Sequence, residues 1–211
     1  MLVLASASPA RLSVLRSAGV EPIVMVSGVD EDAVADALVD PRPDEVVVAL
    51  AAAKAADVAT RIADTHPDAV IVGCDSMLLV NGALVGKPGT ADVARDRWRG
   101  MAGGTGMLLT GHAVIRLTNG SPPRNAEGVA GTTIRFGTPS DAELAAYIAS
   151  GEPLSVAGAF TLDGRGGWFV DGVDGDPSSV IGISLPLTRR LLADVGVSVV
   201  SLWSPDARRH A

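Results

Sequence analysis

Apolar residues recur along this chain with two different spacings, and stretches of the two kinds alternate. Compact apolar runs predict β-strands at Met1–Ala5, Pro22–Val26, Met107–Leu117, Glu127–Phe136 and Val197–Trp203. Apolar residues at helical spacing, with helix start and stop signals, predict helices at Pro9–Ala18, Asp44–Ala63, Thr90–Met101, Ser140–Ser150 and Leu185–Val195. Strands and helices that alternate without a strict repeat predict an α/β protein with a mixed, twisted sheet.

Turn residues add two predicted hairpins and set the domain boundaries. The stretch DAVIVGCDSMLLVNGALVG predicts a strand followed by a hairpin that closes at Asn81-Gly82. A second hairpin is predicted to turn at Gly164–Gly167, and the acidic stretch 28–45 to form a loop with one helical turn. Because no linker is long enough to force two domains, we expect one domain over residues 1–203 and a loose tail over 204–211.

Composition narrows the class of protein. With 211 residues and 47% hydrophobic composition, the chain can bury a substantial core. Lys54 interrupts the longest apolar stretch, which is too short to span a bilayer, and no cationic segment precedes the first strand as in a signal peptide. The single Cys74 excludes an internal disulfide and a thiolate metal cluster and is expected to be a buried thiol. These features predict a cytoplasmic protein without a membrane segment.

The charge balance excludes one class of partner and leaves another open. A formal net charge of -7 at pH 7 disfavours binding to a nucleic-acid backbone. A small anionic substrate needs only a few cations placed locally, with help from a metal ion. We therefore expect no nucleic-acid partner.

The stretch LASASPARLSVL places hydroxyls and one cation between a strand and a helix. Backbone N–H groups at the start of a helix favour an anion, and Arg11 would add a forked donor beside Ser6 and Ser8. This pattern predicts a phosphate site. Alternatively, Ser8 only caps the helix and Arg11 is solvated.

Four more charged residues interrupt apolar or glycine-containing segments. Asp75 follows the buried run AVIVGC, where it is predicted to end a strand and to act as a general base or a metal ligand. Lys54 and Lys87 could neutralise phosphate charge, and Glu31 could complete an oxygen-ligand metal site. The plainer alternatives are a strand-end aspartate that caps a turn, a lysine on an exposed helix face and a solvated acidic loop.

Other residue patterns point to structure. The chain has no Walker or dinucleotide-binding glycine pattern, and His66, His112 and His210 are too scattered for a zinc site. His112 is expected to be a hydrogen-bonded strand residue. The large side chains expected to lie in the core or to line a cleft are Trp98, Met101, Met107 and Trp168.

Several of these motifs together resemble the Maf family of nucleoside triphosphate pyrophosphatases. The matching stretches, in order, are LASASPARLSVL, VDED, AAAKA, VIVGCDSMLLVNGALVGKP, AGGTGMLLTGHAVI and YIASGEPLSVAGAFTLDGRGGWFVDGVDGDPSSVIGISLPL. The resemblance covers Leu2 to about Leu192 and is strongest to actinobacterial members. It implies two α/β lobes around a central cleft, dependence on a divalent metal (Mg²⁺ or Mn²⁺), and hydrolysis between the α and β phosphates of a nucleoside triphosphate.

The resemblance also assigns roles by position. Asp75 matches the family's catalytic acidic residue, and Ser8, Arg11, Lys54 and Lys87 match its phosphate-facing residues. Glu31 matches the acidic residue near the metal, so that Glu31 and Asp75 are the expected metal ligands. Family precedent implies a homodimer, and a link to cell-division arrest would make a non-catalytic nucleotide-binding regulator of septum formation the alternative function. A different phosphate enzyme, such as a phosphatase or nucleotidyltransferase, is a third.

The chain departs from the family pattern at positions that affect base recognition. Ala10 replaces the first of two usual arginines, Ser76 follows the catalytic aspartate in place of Thr or Gln, and Asp163 replaces a glutamine. Phe160 stands where a tyrosine is usual. The base preference of either known branch of the family therefore does not transfer to this chain.

Overall fold

The computed structural model describes residues 1–204, which form one seven-stranded mixed sheet with helices on its faces. The strands are β1 (Leu2–Leu4), β2 (Ile23–Val24), β3 (Val70–Val80), β4 (Ala83–Val85), β5 (Thr105–Thr118), β6 (Ser121–Phe136) and β7 (Val170–Asp174). The α-helices are α1 (Pro9–Ser17), α2 (Glu31–Asp36), α3 (Pro43–Ile62), α4 (Ala91–Met101), α5 (Asp141–Ala149), α6 (Pro177–Ile181) and α7 (Leu185–Asp194). The predicted mixed α/β class is confirmed.

The sheet has a parallel part and an antiparallel part that meet at β3. Its order is β2-β1-β3-β5-β6-β7, with β4 on the β1 side of β3. The strands β2, β1 and β3 are parallel neighbours, whereas β3, β5, β6 and β7 are antiparallel. Along one edge of β3, β1 pairs as far as Val72 and β4 pairs from Leu78 onward. This edge of β3 is therefore unpaired over residues 73–77, and the gap is where the functional cleft opens.

Asp75 lies inside β3, so the prediction that it ends a strand is wrong. The strand continues to Val80 because its antiparallel ladder with β5 runs past this position, with Asp75 opposite Gly111. Asp75 instead lies beyond the end of β1, whose last pair joins Leu4 to Val72. It therefore remains near the carboxyl end of a parallel strand, as ligand-binding residues of open α/β sheets do.

Helix α3 lies unusually close to the sheet because two glycines face it. A Cβ atom on Gly73 would lie 2.3 Å from the carbonyl oxygen of Ala51, and one on Gly111 would lie 2.1 Å from that of Val47. No side chain larger than hydrogen fits at either position without a shift of the helix. This close approach brings Lys54, on the buried face of α3, over the strand that bears Asp75.

The predicted hairpin at Asn81-Gly82 is confirmed. Both residues have positive φ, 51° and 77°, as a two-residue turn of this kind requires. The acidic stretch 28–45 contains a longer helix than the single turn predicted, namely α2, which Asp30 caps by accepting from the backbone N–H of Ala33.

Two predicted β elements are replaced by short 3-10 helices. The region of the second hairpin forms 3-10 helices at Glu152–Ser155, Ala157–Ala159 and Arg165–Phe169, and only β7 follows as a strand. The hydroxyl of Thr161 and the backbone N–H of Gly166 both donate to the carboxylate of Glu152 and hold this compact path. The predicted last strand, Val197–Trp203, contains a 3-10 helix at Val199–Leu202 and only one isolated bridge, from Trp203 to Val20.

The large side chains divide between core and surface. Trp98 and Met101 are buried in the core, as predicted, and Cys74 is fully buried. The prediction is wrong for Trp168, which lies within the 3-10 helix Arg165–Phe169 and is 88% exposed, and for Met107 on β5, which is 42% exposed. Within residues 1–204, no helix has the length and apolar composition needed to cross a membrane. Of the predicted tail, residues 205–211 lie outside the described residues, while the N–H of Ser204 donates to the carbonyl of Gly19.

Candidate active site

One cleft of about 710 Å³ contains all the residues predicted for the site. Its walls include Ser8, Arg11, Glu31, Lys54, Asp75 and Lys87. These residues come from five separate parts of the chain: the first turn of α1 and its cap, α2, α3, β3 and the segment after β4. The fold thus brings together every charged residue singled out in the sequence.

The centre of the cleft is a lysine held between two carboxylates. Nζ of Lys54 lies 2.6 Å from Oδ1 of Asp75 and 2.8 Å from Oε1 of Glu31. The side chains of Lys54 and Asp75 are only 8% and 10% exposed, whereas that of Glu31 is 56% exposed. The alternative that Lys54 lies on an exposed helix face is therefore excluded. Its ammonium group joins the two residues predicted as metal ligands.

The surroundings of Asp75 favour its protonated form. Burial raises the pKa of Asp75 above its ordinary value, although the nearby charges of Lys54 and Arg11 act in the opposite direction. A carboxylate with a raised pKa is a stronger base than one in water. Asp75 is thus suited to accept a proton from a water molecule in the cleft.

Arg11 is fixed in place by three hydrogen bonds from its guanidinium group. Nε donates to the carbonyl of Gly182 at 2.8 Å, Nη1 to Oγ of Ser6 at 2.9 Å and Nη2 to Oγ of Ser76 at 3.2 Å. Within residues 1–204, no carboxylate lies at salt-bridge distance from this group. A guanidinium has five N–H donors, so two remain for an anion. The alternative of a freely solvated Arg11 is excluded.

The hydroxyl groups near Arg11 shape the start of α1. Oγ of Ser8 accepts from the backbone N–H of Arg11 at 3.4 Å, and the N–H of Ser8 donates to Oγ of Ser6. Ser8 is therefore the helix cap, as predicted. This capping role and a phosphate-facing role are compatible, because Ser8 also lines the cleft.

A buried polar layer lies behind Arg11, and of its members only Ser76 and His112 had been singled out in the sequence. Oγ of Ser76 contacts Oγ1 of Thr110, which in turn donates to the carbonyl of Ser179. Nε2 of His112 accepts from the N–H of Ser184 at 2.8 Å, so Nδ1 bears the proton and donates to the carbonyl of Thr110. Burial lowers the pKa of His112 to about 4, and the imidazole is neutral. His112 is thus a hydrogen-bonded strand residue, as predicted.

Lys87 follows β4, which pairs with β3 beyond the unpaired residues 73–77, whereas α1 follows β1, which pairs with β3 before them. Lys87 is exposed and lines the cleft. Within the described part of the chain, it forms no salt bridge. Its ammonium group is therefore available to an anionic ligand, unlike that of Lys54.

Of the residues that form the remaining wall, only those that depart from the family pattern had been singled out in the sequence. Phe160 and Asp163, noted as departures, both line the cleft, as does Ser76. The other lining residues had no chemical signature in the sequence; they include Met77, Leu108 and the segments 155–157 and 180–182. Most are apolar or offer only backbone groups, so a sequence pattern does not distinguish them from core.

Comparison with known proteins places this architecture in a family. The family model described as Maf-like protein matches residues 1–195. A protein of Saccharopolyspora erythraea is 65% identical over 208 residues, covering 98% of this chain and 99% of its own. Proteins of Rhodococcus opacus and Nocardia farcinica are 64% and 62% identical over 208 residues, each covering 98% of this chain and 97% and 98% of their own. All three relatives are named nucleoside triphosphate pyrophosphatase. The chain belongs to the Maf family.

Proposed function

We propose that this protein is a nucleoside triphosphate pyrophosphatase, which hydrolyses the bond between the α and β phosphates to give a nucleoside monophosphate and pyrophosphate. The name shared by relatives at 62–65% identity supports this activity. The observation that carries it is the buried carboxylate of Asp75 in a cleft that also presents Arg11 and Lys87, two cations without a carboxylate partner in the described chain.

The cations would bind and stabilise a polyphosphate from two sides. Arg11 lies on one wall with two free N–H donors, and Lys87 lies on the other. Phosphoryl transfer requires mainly positioning and neutralisation of charge on the phosphate oxygens. Together with the hydroxyl of Ser8, these side chains would orient the triphosphate across the position of Asp75.

The residues at the centre fit a divalent metal that is shared with the substrate. In residues 1–204, no group of three or more His, Cys, Asp or Glu side chains could hold a metal ion by itself. Oxygens of Glu31 and Asp75 nevertheless already lie around one cationic atom, Nζ of Lys54. Mg²⁺ is commonly held by one or two carboxylates together with phosphate oxygens and water. Glu31 and Asp75 would hold the ion, which would supply Lewis-acid stabilisation of phosphate charge.

Asp75 would also receive the proton released in the reaction. The oxygen of a water molecule forms a new bond to the α phosphorus. At the same time, the bond from that phosphorus to the oxygen of the leaving pyrophosphate breaks. The proton of that water passes to the carboxylate of Asp75, whose pKa burial raises toward the working range of a general base. Lys54, at 2.6 Å, would orient the carboxylate and stabilise its charged form.

The cellular setting is a further part of the proposal. A cytoplasmic location is supported by the single buried cysteine, and a homodimer by the family resemblance alone. Light scattering on the purified protein tests the second point, with the mass of a single chain as the contrary result.

The reaction is tested by identifying its phosphorus products. The purified protein is incubated with Mg²⁺ and a panel of normal, deoxy and base-modified triphosphates, and the products are followed by ³¹P NMR. We expect pyrophosphate and monophosphate, loss of turnover with a chelator, and a loss of about 10²- to 10⁴-fold for Asp75→Asn, as for removal of a general base. The matched control is Asp92→Asn, because Asp92 is an exposed carboxylate on α4 whose one salt bridge within residues 1–204 is to Arg95.

Each contrary result supports a different alternative. Orthophosphate as the product would indicate another phosphate enzyme. Nucleotide binding without turnover would indicate the regulator of septum formation. Near wild-type turnover of Asp75→Asn, with Asp92→Asn equally active, would overturn the role of Asp75.

A further inference from the structure

Arg97 is a half-buried cation on α4 that the site described above does not use. Its Nη1 atom donates to the carbonyl oxygen of Gly86 at 2.6 Å. Within residues 1–204, no carboxylate lies at salt-bridge distance from it, although Arg95 and Arg99 on the same helix each have one. Burial lowers the pKa of Arg97, which means that the surroundings disfavour its charge. A charge kept in such a place at a free-energy cost suggests a role other than solubility.

The carbonyl that Arg97 holds belongs to the peptide bond between Gly86 and Lys87. Because a peptide unit is planar, fixing this oxygen fixes the orientation of the backbone N–H of Lys87 and the direction in which its chain departs. The same oxygen also accepts from the N–H of Gly158 at 3.2 Å. Gly86 has no side chain to restrict its backbone, so these bonds are its main restraint.

The other side of Lys87 is restrained as well. Pro88 follows it and confines the backbone of Lys87 to extended conformations. The N–H of Gly89 donates to the carbonyl of Leu154 at 3.0 Å. Lys87 therefore sits in a short segment held at both ends, and Arg97 supplies the only charged side chain among these restraints.

Helix α4 holds the segment around Ala159 in a similar way. Nε1 of Trp98, the residue after Arg97, donates to the carbonyl of Ala159 at 2.7 Å. Ala159 has a positive φ of 63°, a conformation that a residue with a side chain holds only when its surroundings impose it. Consecutive residues of α4 thus hold two backbone segments that line or border the cleft.

We propose that Arg97 is a positioning residue for the reaction: through the carbonyl of Gly86 it holds Lys87 in the orientation that meets the triphosphate. The inference rests on the proposed function, and in particular on Lys87 as a phosphate-binding cation. Arg97 itself does not line the cleft.

A double-mutant cycle tests this role. Wild type, Arg97→Met, Lys87→Met and the double variant are compared for kcat/KM of pyrophosphate release and for the Kd of a non-hydrolysable α,β-methylene triphosphate. We expect Arg97→Met to lower kcat/KM about 10- to 100-fold when Lys87 is present, as misplacement of a binding group does. In the Lys87→Met background, the same substitution should cost less than about threefold, since Arg97 acts through Lys87. The Kd should show the same lack of additivity.

Controls separate positioning from loss of structure. Arg99→Met removes an exposed arginine two residues along α4 that, in the described part of the chain, forms a salt bridge with Asp96 alone, and it should leave kcat/KM unchanged. Arg97→Lys keeps a charged donor and should retain more activity than Arg97→Met. If Arg97→Met does not fold, as judged by circular dichroism, the cycle is run with Arg97→Gln, which also removes the charge.

The outcomes are distinct. Equal losses in both backgrounds would show a general structural effect and overturn the proposal, as would an unchanged kcat/KM for Arg97→Met. If the wild type releases no pyrophosphate, the proposed function fails, and the Kd cycle alone decides whether Arg97 positions Lys87.

Discussion

Lys54 and Asp75 form a buried ion pair, yet replacing Lys54 and replacing Asp75 should change the stability of the protein in opposite directions. Lys54→Met leaves the carboxylate of Asp75, whose side chain is only 10% exposed, without the ammonium group 2.6 Å away. Breaking a buried ion pair by removal of one partner typically costs about 3–5 kcal/mol, because the remaining charge is buried and uncompensated. We expect the free energy of unfolding of Lys54→Met at neutral pH to fall by roughly this amount.

Asp75→Asn should have the opposite effect. Burial raises the pKa of Asp75 even with Lys54 beside it, so as the pH rises the unfolded chain loses this proton before the folded one does. Over that interval the folded state binds more protons, and the stability that this group contributes is lost as the pH rises through its folded pKa. An asparagine does not titrate, so the variant does not lose stability in this way. The ammonium group of Lys54 still has the carboxylate of Glu31 2.8 Å away. We expect Asp75→Asn to be at least as stable as wild type at neutral pH, with the difference shrinking in acid.

Urea unfolding followed by circular dichroism measures both effects. Wild type, Lys54→Met, Asp75→Asn and the double variant are compared at neutral pH and at an acidic pH where the fold persists. In the double variant, the asparagine should recover most of the stability lost in Lys54→Met, since no buried charge is left unpaired and Glu31, which also loses its partner, is 56% exposed. The reasoning is refuted if Lys54→Met is as stable as wild type, or if adding Asp75→Asn restores nothing.

Two further predictions concern the residues that hold the cleft's framework. Burial lowers the pKa of His112 to about 4 from its ordinary 6.5, so between these pH values the unfolded chain takes up a proton that the folded chain does not. Wild type should lose roughly 3 kcal/mol more stability than His112→Gln as the pH falls across this window, and unfolding free energies with parallel slopes would contradict this. Gly111→Ala places a methyl group 2.1 Å from the carbonyl oxygen of Val47. We expect this substitution to lower the free energy of unfolding by about 1–3 kcal/mol. It should also reduce activity, because it displaces α3 and with it Lys54. Thermal melting and kcat/KM of this variant test it, with Gly28→Ala, where nothing lies within 4 Å of the added carbon, as the control.

The sequence predicts the class of fold because most strands and helices bury apolar residues at regular spacing. It fails where local pattern and tertiary contact disagree. The first half of β6 is polar, with Pro122 and Pro123 near its start, because its residues pair with β5 on one edge only and face solvent. The path through residues 152–169 depends on Glu152, which reaches across to Thr161 and Gly166. No spacing of apolar residues encodes such contacts.

The candidate site can be predicted from the sequence better than the fold around it, for a physical reason. Lys54 and Asp75 each interrupt an apolar stretch, and a charge buried in such a stretch needs a partner. Their convergence could thus be anticipated, but their direct pairing could not, because the register of α3 against β3 depends on Gly73 and Gly111. Arg97 gave no signal at all, since it lies among other arginines of an ordinary amphipathic helix.

The buried charge of Asp75 and the close approach of α3 at Gly111 both cost stability, yet the fold keeps them. An apolar residue at position 75 would pack into the sheet without a buried charge, and a larger residue at position 111 would relax the close approach of α3 that brings Lys54 within reach. The chain instead fixes charged groups before any substrate arrives, which is the condition for stabilising charge in a reaction without reorganisation. A carboxylate that served structure alone would lose stability and activity together when changed to an amide. Retained or increased stability of Asp75→Asn together with lost turnover would therefore identify Asp75 as a group that the fold maintains for chemistry.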